Sequence, residues 1–312
     1  MPVSARGYAS LDDLSAMVGL MSTRPSRVSP AGALWYPGNA VWNLYTGMQG
    51  IDPRHETDRI RLWCDDTDLI GLVVDLGSGD MYVDSRPEEG SGGAVWVEAL
   101  AWAEAWAAAS GGATCSLAAL ESDGPRRARL ETAGYVIDGA GHPRMRLDLG
   151  ARPPEPDLPA GMRFHDCADV DLEERAAAHR DAWEHLEHIG IEGARSAFSR
   201  EVYERLRAAP GYDVSLDFVV QDRNGTIAAS CICWADENSE TALFEPVGTR
   251  AAYRRRGLGR ALVLGALGRL RERGMRTALV GTSRINAPAV RTYLGCGFEI
   301  VDHELTYTKA LG

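Results

Sequence analysis

Lysine is almost missing from the 312-residue chain: Lys309 is the only one, and arginine supplies the rest of the basic charge. That bias says little about mechanism, but other shortages exclude more. No cysteine pair has the Cys-x-x-Cys spacing. The six cysteines (64, 115, 167, 231, 233 and 296) are scattered and read as buried reduced thiols, not as a metal or disulfide framework. No apolar run approaches the length of a membrane span, and residues 1–10 lack the apolar core of a signal peptide, so the chain reads as cytoplasmic. Excess positive charge is also absent. The net charge of -11 argues against nucleic acid or an anionic membrane as partner.

What is present is the composition of a soluble globular protein, 45% hydrophobic and 25% charged, with length enough for two ordinary domains. Residues 151–160 hold Pro153, Pro154, Pro156 and Pro159. Prolines remove donors and stiffen the chain, so this stretch reads as a linker between domains at 1–150 and 161–312. In the first half the pattern predicts a helix from Leu11 to Met21, a loop over 23–38, a helix over 39–48 and strands at 59–64, 69–76 and 81–84. A glycine loop follows at 87–93, then an alanine-rich helix at 94–109, a strand at 114–120, a helix at 126–133 and a strand at 144–149 that closes the half. In the second half a strand at 162–164 precedes a long helix capped by Asp169 and running through His179 to His188. A helix at 196–207 comes next, then an Asn224-Gly225 hairpin and a strand at 241–249. The last elements are a helix from Leu258, a strand at 277–281, a helix at 287–295 and a final strand or two.

The second half is organised around Tyr253–Arg260, which reads Tyr-Arg-Arg-Arg-Gly-Leu-Gly-Arg between a strand and a helix. Glycines let a backbone approach a ligand closely, and the unpaired N–H groups of a helix's first turn bind phosphate. With arginines beside them, Arg254, Arg255, Arg256, Gly257, Leu258, Gly259 and Arg260 read as a pyrophosphate cradle.

Arg254-x-x-Gly257-x-Gly259 resembles the R/Q-x-x-G-x-G/A signature of the GNAT acyltransferases. Asn286-x-x-Ala289-x-x-x-Tyr293-x-x-x-Gly297-Phe298 is similar to that family's second landmark. The resemblance covers roughly Gly161 to Lys309. It implies an α/β fold with a mixed, mostly antiparallel sheet flanked by helices. It also implies acetyl-CoA as co-substrate, without a metal, and an amine as acceptor. Val247, Gly248 and Thr249 would present main-chain groups to the pantetheine arm, Tyr293 would stand at the general-acid position and touch the cofactor, and Asn286 would orient the cofactor or cap its helix. Direct transfer needs a base to remove a proton from the amine. Glu245, on the strand just before the acyl site, is the first choice, ahead of Asp236 and Glu237, which sit in a loop. Trp183, His185 and His188 fall where the family's acceptor-side loop lies. The two histidines share a helix face and read as solvated or capping residues, or as part of the acceptor pocket; ligands for a zinc site are not apparent.

An offset of 163 residues lays Asp123 on Asn286, Leu130 on Tyr293, Gly134 on Gly297 and Tyr135 on Phe298. A fixed offset with matching element order reads as duplication, hence two tandem GNAT-like domains. The first copy is degenerate. Pro87-x-x-Gly90-x-Gly92 has proline at the Arg/Gln position, with Glu88 and Glu89 beside it, and residues 1–150 carry 12 Arg against 20 Asp plus Glu. The first half therefore reads as lacking a donor site and as shaping the acceptor pocket or serving as a built-in dimer partner. The whole would be a monomer with an internal pseudo-dimer, or a homodimer. The leading function is acetyl transfer from acetyl-CoA to an amine of a small molecule. A protein or peptide amine, or CoA binding without turnover, is the alternative. Tandem organisation also resembles the mycothiol synthases, which brings in an amine on a thiol-sugar.

Overall fold

The computed structural model describes residues 3–22, 33–46, 57–66, 68–86 and 93–312. The glycine loop Pro87-x-x-Gly90-x-Gly92, most of the loop expected over 23–38 and the last two residues of the helix expected over 39–48 lie outside them.

The chain forms two compact units that do not follow chain order. Unit 1 comprises Met1–His142 with Asp302–Gly312, and unit 2 comprises Pro143–Val301. In unit 1 the strands are β1 (Val3–Gly7), β2 (Ile60–Asp65), β3 (Asp68–Gly77), β4 (Asp80–Ser85) and β5 (Thr114–Leu120), followed in space by β13 (Glu299–Ala310) from the far end of the sequence. The short β6 (Val136–Ile137) also pairs with β13. Among the described residues four helices belong to this unit: α1 (Leu11–Ser22), α2 (Pro37–Thr46), α3 (Ala94–Ala109) and α4 (Gly124–Thr132).

In unit 2 the spatial order is β7 (His142–Asp148), β12 (Thr277–Gly281), β11 (Thr241–Thr249), β10 (Ile227–Asp236), β9 (Asp217–Asp222) and β8 (Met162–Asp166). Its helices are α5 (Leu172–Glu184), α6 (Arg200–Arg207), α7 (Leu258–Glu272) and α8 (Ala287–Gly295). The two sheets have the same plan. Each steps antiparallel from strand to strand except at one parallel pair, β4–β5 in unit 1 and β11–β12 in unit 2. The place that β13 takes beside β5 is taken in unit 2 by β7 beside β12.

The strand at 144–149, expected to close the first half, is therefore part of the second unit's sheet. Residues 151–160 have no regular structure, as their prolines require. Proline content marks where pairing stops, but not which sheet a flanking strand joins.

Caps set the helix boundaries. Asp171, not Asp169, caps α5 by accepting from Glu174 N at 2.8 Å. Ser199 caps α6 through Val202 N, so that helix starts four residues after the expected Ser196. The long helix through His188 ends instead at Glu184. His185 is its C-cap and His188 sits in a separate 3₁₀ turn, Glu187–Ile189, so the two histidines do not share a helix face. Unit 2's core packs the apolar face of α7 (Leu262, Leu267, Leu270) on Phe218, Val220, Phe244 and Val280 of the sheet, with Tyr293 and Phe298 closing one end. The start of α7 lies against the end of β11, where an ideal Cβ on Gly259 would come 3.2 Å from Thr249 Oγ1.

Candidate active site

The site begins where two strands part. β11 and β12 run parallel in register from Thr241↔Thr277 to Phe244↔Val280, and there the pairing ends. β11 continues for five residues, Glu245 to Thr249, still paired on its other side with β10 as far as Ala229↔Thr249. One edge of this stretch thus has no strand beside it and borders a wedge, since β12 ends at Gly281. An extended, amide-bearing ligand can enter such a wedge and pair as a strand would. Val247, Gly248 and Thr249 lie on this edge.

Above the wedge α7 starts without a side-chain cap. Its N-cap is Gly257, in the left-handed region at φ 78°, and no side chain bonds to the first-turn N–H groups. By contrast α5, α6 and α8 are each capped by a side chain. Leu258 is buried in the core and anchors the turn, while Arg255, Arg256, Gly257 and Arg260 are exposed. Arg255 itself has φ 63°. A Cβ on Gly257 would meet nothing within 4 Å, so it is the backbone's sign of φ that calls for glycine there. Uncapped N–H groups, a positive helix end and exposed arginines suit a pyrophosphate. Arg260 also donates from Nε to Gly295 O at 3.2 Å, tying α7 to α8.

Arg254 does something else. Its guanidinium donates to Thr249 O (3.2 Å), Ala182 O (3.0 Å) and His185 O (2.5 Å), and its Nη1 lies 3.1 Å from His188 Nδ1. Arginine can only donate, so His188 Nδ1 is the acceptor and that imidazole is neutral. Burial and the neighbouring Arg254 charge accordingly push the His188 pKa down. The expected phosphate ligand is thus a clamp, joining the end of β11 to the end of α5 and the turn after it. His185 caps α5, with Nδ1 3.0 Å from Asp181 O. Asp181 in turn accepts Ala251 N at 2.7 Å, a second tie across the same gap.

Trp183 reaches the wedge from α5. An ideal Cβ on Gly248 would lie 2.3 Å from Trp183 Cζ3 and 2.9 Å from the Ala182 methyl. Trp183 stacks on His179 with centroids 4.2 Å apart. Glu245 is near enough to Tyr293 to act on it electrostatically. Tyr293 is 5% exposed, and its pKa is pushed well up, first by burial and then by the Glu245 carboxylate. The hydroxyl therefore keeps its proton through the neutral range, as a general acid must. Asn286 caps α8, its Oδ1 accepting Ala289 N at 3.2 Å. Asp236 and Glu237 lie at the far end of the β10–β11 hairpin, where Asp236 Oδ1 accepts Asn238 N.

Sequence reasoning did not find the polar core behind this surface. Trp234 Nε1 donates to Glu245 O at 2.6 Å and fixes the backbone of the candidate base. Next to Trp234 lies Tyr212, and Asp217 accepts at 2.9 Å from Arg175 Nε, Tyr203 Oη and Tyr212 Oη alike. The available signal was an aspartate opening the apolar run Phe218-Val219-Val220, since a carboxylate at a buried strand position needs donors. All six cysteines are buried and free. Among the described residues no cluster of three or more His, Cys, Asp or Glu could hold a metal, and no helix is long and apolar enough to cross a membrane.

Residues 180–298, which span the turn at Glu187–Ile189, the wedge, the start of α7 and Tyr293, match the model of the acetyltransferase (GNAT) family. This segment belongs to that family. The GNAT segment has relatives on a larger scale too. A mycothiol acetyltransferase from Thermobispora bispora is 29% identical over 183 residues, covering 56% of this chain; the match spans 59% of that relative's length. Among solved structures, a tandem GNAT protein from the clavulanic acid biosynthesis pathway aligns over 100% of this chain and 99% of its own, with a TM-score of 0.67 and 17% identity. A GCN5-related N-acetyltransferase from Sphaerobacter thermophilus aligns over 99% and 96%, with a TM-score of 0.61 and 20% identity. Both units together have the fold of a tandem GNAT protein.

Proposed function

We propose that unit 2 transfers an acetyl group from acetyl-CoA to the amine of a small molecule by direct attack. The observation that carries this reading is the wedge after Phe244↔Val280, opening beneath the uncapped start of α7 with Glu245 and Tyr293 in electrostatic contact beside it. Acetyl-CoA supplies the activated acyl thioester, and the residues present fit it. The N–H groups after Gly257, with Arg255, Arg256 and Arg260, would hold the pyrophosphate, and the free edge at Val247–Thr249 would pair with the pantetheine amides.

Glu245 acts as base, directly or through water: it takes one proton from the ammonium, the neutral amine then attacks the thioester carbonyl, and the second proton leaves nitrogen as the amide forms and replaces, through solvent, the one that Tyr293 gives up. The new C–N bond forms as the C–S bond breaks. Tyr293 gives its proton to the departing sulfur. An N–H of the Val247–Thr249 edge polarises the thioester carbonyl, a contribution of roughly 3 kcal/mol for such a donor. Trp183 walls the acceptor side, while His185 and His188 act through Arg254, holding the turn that bears on it. The match to a mycothiol acetyltransferase and the tandem fold make an amine on a thiol-sugar the first acceptor to assay. The test is acetyl-CoA-dependent thiol release by the full chain against a panel of small amines, with N-terminal peptides as the competing class. Turnover with peptides alone would move the acceptor to a protein amine. CoA binding with no turnover on any amine would leave a binding module.

A further inference from the structure

Unit 1 has a wedge of its own, and it is filled. The parallel pairing of β4 and β5 ends at Met81↔Leu117, which is Phe244↔Val280 displaced by the same 163 residues. Beyond that point the two strands are bridged by one side chain. Arg126, on α4 and only 7% exposed, donates from Nε to Ala118 O at 2.8 Å on β5. Both of its Nη atoms donate to Val83 O at 3.1 Å on β4. Its guanidinium lies 4.8 Å from the ring centre of Trp96, a buried residue in the first turn of α3.

The counterparts in unit 2 are small. Arg126 corresponds to Ala289 and Trp96 to Gly259. The helices that carry Arg126 and Ala289 are built alike. Asp123 and Asn286 are the N-caps, proline follows in the first turn, and the capped N–H belongs to Arg126 in one and Ala289 in the other. A methyl group there cannot reach either strand, and a glycine leaves the space over the wedge open. The remaining reactive position has changed too. Tyr82 stands where unit 2 has Glu245, stacks on Trp35 at 4.1 Å and donates its hydroxyl to Asp84 at 2.8 Å.

We propose that Arg126, packed on Trp96, is an internal plug that occupies the first unit's donor wedge, so that each chain loads one acyl donor, at unit 2. A guanidinium suits the role because its fork can bond carbonyls of two diverging strands at once. The stoichiometry rests on the reading of unit 2 as the donor site; the plug does not.

Two measurements on the full chain separate these. Calorimetric titration with CoA should give one site per chain, abolished by Gly257→Trp. Two sites, one surviving Gly257→Trp, would overturn the plug and leave the donor reading of unit 2 intact. A single site that survives Gly257→Trp would overturn both, and no binding at all would sink the donor reading alone. The plug is read directly by hydrogen exchange in Arg126→Ala, or in Arg126→Gln if the alanine variant does not fold, since the shorter side chain has one nitrogen where the guanidinium uses three to bridge the strands. Amides of Tyr82–Ser85 and Ala118–Leu120 should exchange at least about tenfold faster, while those of β11 and β12 are unchanged. In Arg126→Ala, millimolar methylguanidinium should restore protection where tetramethylammonium at equal concentration does not. Unchanged exchange in the variant, or equal effects of the two cations, would overturn the plug.

Discussion

The ring of Trp183 occupies the place where Gly248 would carry a side chain: 2.3 Å separates Trp183 Cζ3 from an ideal Cβ on that glycine. The obstruction is a stiff ring stacked on His179, with the Ala182 methyl beside it at 2.9 Å, so neither neighbour can swing aside. Gly248→Ala should therefore lower stability by about 1–3 kcal/mol, the usual range for overpacking. It should also cut acetyl-CoA-dependent turnover by displacing Trp183 or the strand edge. Urea denaturation of Gly248→Ala, Trp183→Ala and the double variant checks this. The double variant should be more stable than the sum of the single effects implies, because the tighter of the two clashes, with the ring, is then gone.

Arg254 separates two kinds of arginine in one loop. Arg254→Lys should fail to restore what Arg254→Met loses, because an ammonium cannot bond Ala182 O, His185 O and Thr249 O in their fixed directions. Exchange protection over residues 182–190 should drop in both variants, and KM for the amine should rise more than KM for acetyl-CoA. Arg255→Ser with Arg256→Ser should do the reverse, raising KM for acetyl-CoA and flattening its salt dependence.

Tyr293→Phe should lower kcat by roughly a hundredfold with little change in KM for acetyl-CoA, since a proton donated to the leaving sulfur matters in the transition state. Wild-type turnover, with chemistry shown to be rate-limiting, would return Tyr293 to a packing role. Glu245→Gln should remove the acid limb of the pH–rate profile. It should also ease Tyr293's raised pKa back toward 10, because the Glu245 charge is one of the influences holding it up.

His179 sets an acid limit on stability. It is 1% exposed, and burial, helped by Arg175 and Arg180, holds its pKa well below 6.5. The unfolded imidazole takes up a proton below that value while the folded one does not, so the unfolded state binds more protons and stability falls as pH falls. The loss should approach about 1.4 kcal/mol per pH unit below pH 6.5. Urea midpoints at pH 7.5 and 5.5 measure it, and His179→Phe should flatten the difference.

The sequence carried the repeat more faithfully than the partition. The 163-residue offset, noticed from Gly134/Gly297 and Tyr135/Phe298, holds at the strand registers themselves. The element order of the second half was also legible, because hairpin glycines, caps and apolar periodicity are local signals. Partnership was not. Nothing in the residues of β7 says that β12 is its neighbour, for an alternating strand fits many edges. Arg254 shows the same limit on a smaller scale. Beside two glycines its charge read as a phosphate ligand, and only the directions of its donors reveal a clamp. Arg126 opens the helix expected at 126–133, and no local signal in the sequence says that its guanidinium lies between Val83 O and Ala118 O.

The exchange of β7 and β13 also sets a timetable for synthesis. β5 pairs with β13 from Thr114↔Ala310 to Leu120↔Glu304, contacts that bridge nearly two hundred residues of sequence. When residue 301 leaves the ribosome, every segment of unit 2 has been made. Unit 1 began earlier and still lacks a strand, so one edge of β5 waits without its partner. A waiting edge is a template for the wrong neighbour. The half of the protein that carries no proposed chemistry is thus the one that a nascent chain must shield longest, and the unit translated second is the one that can finish first.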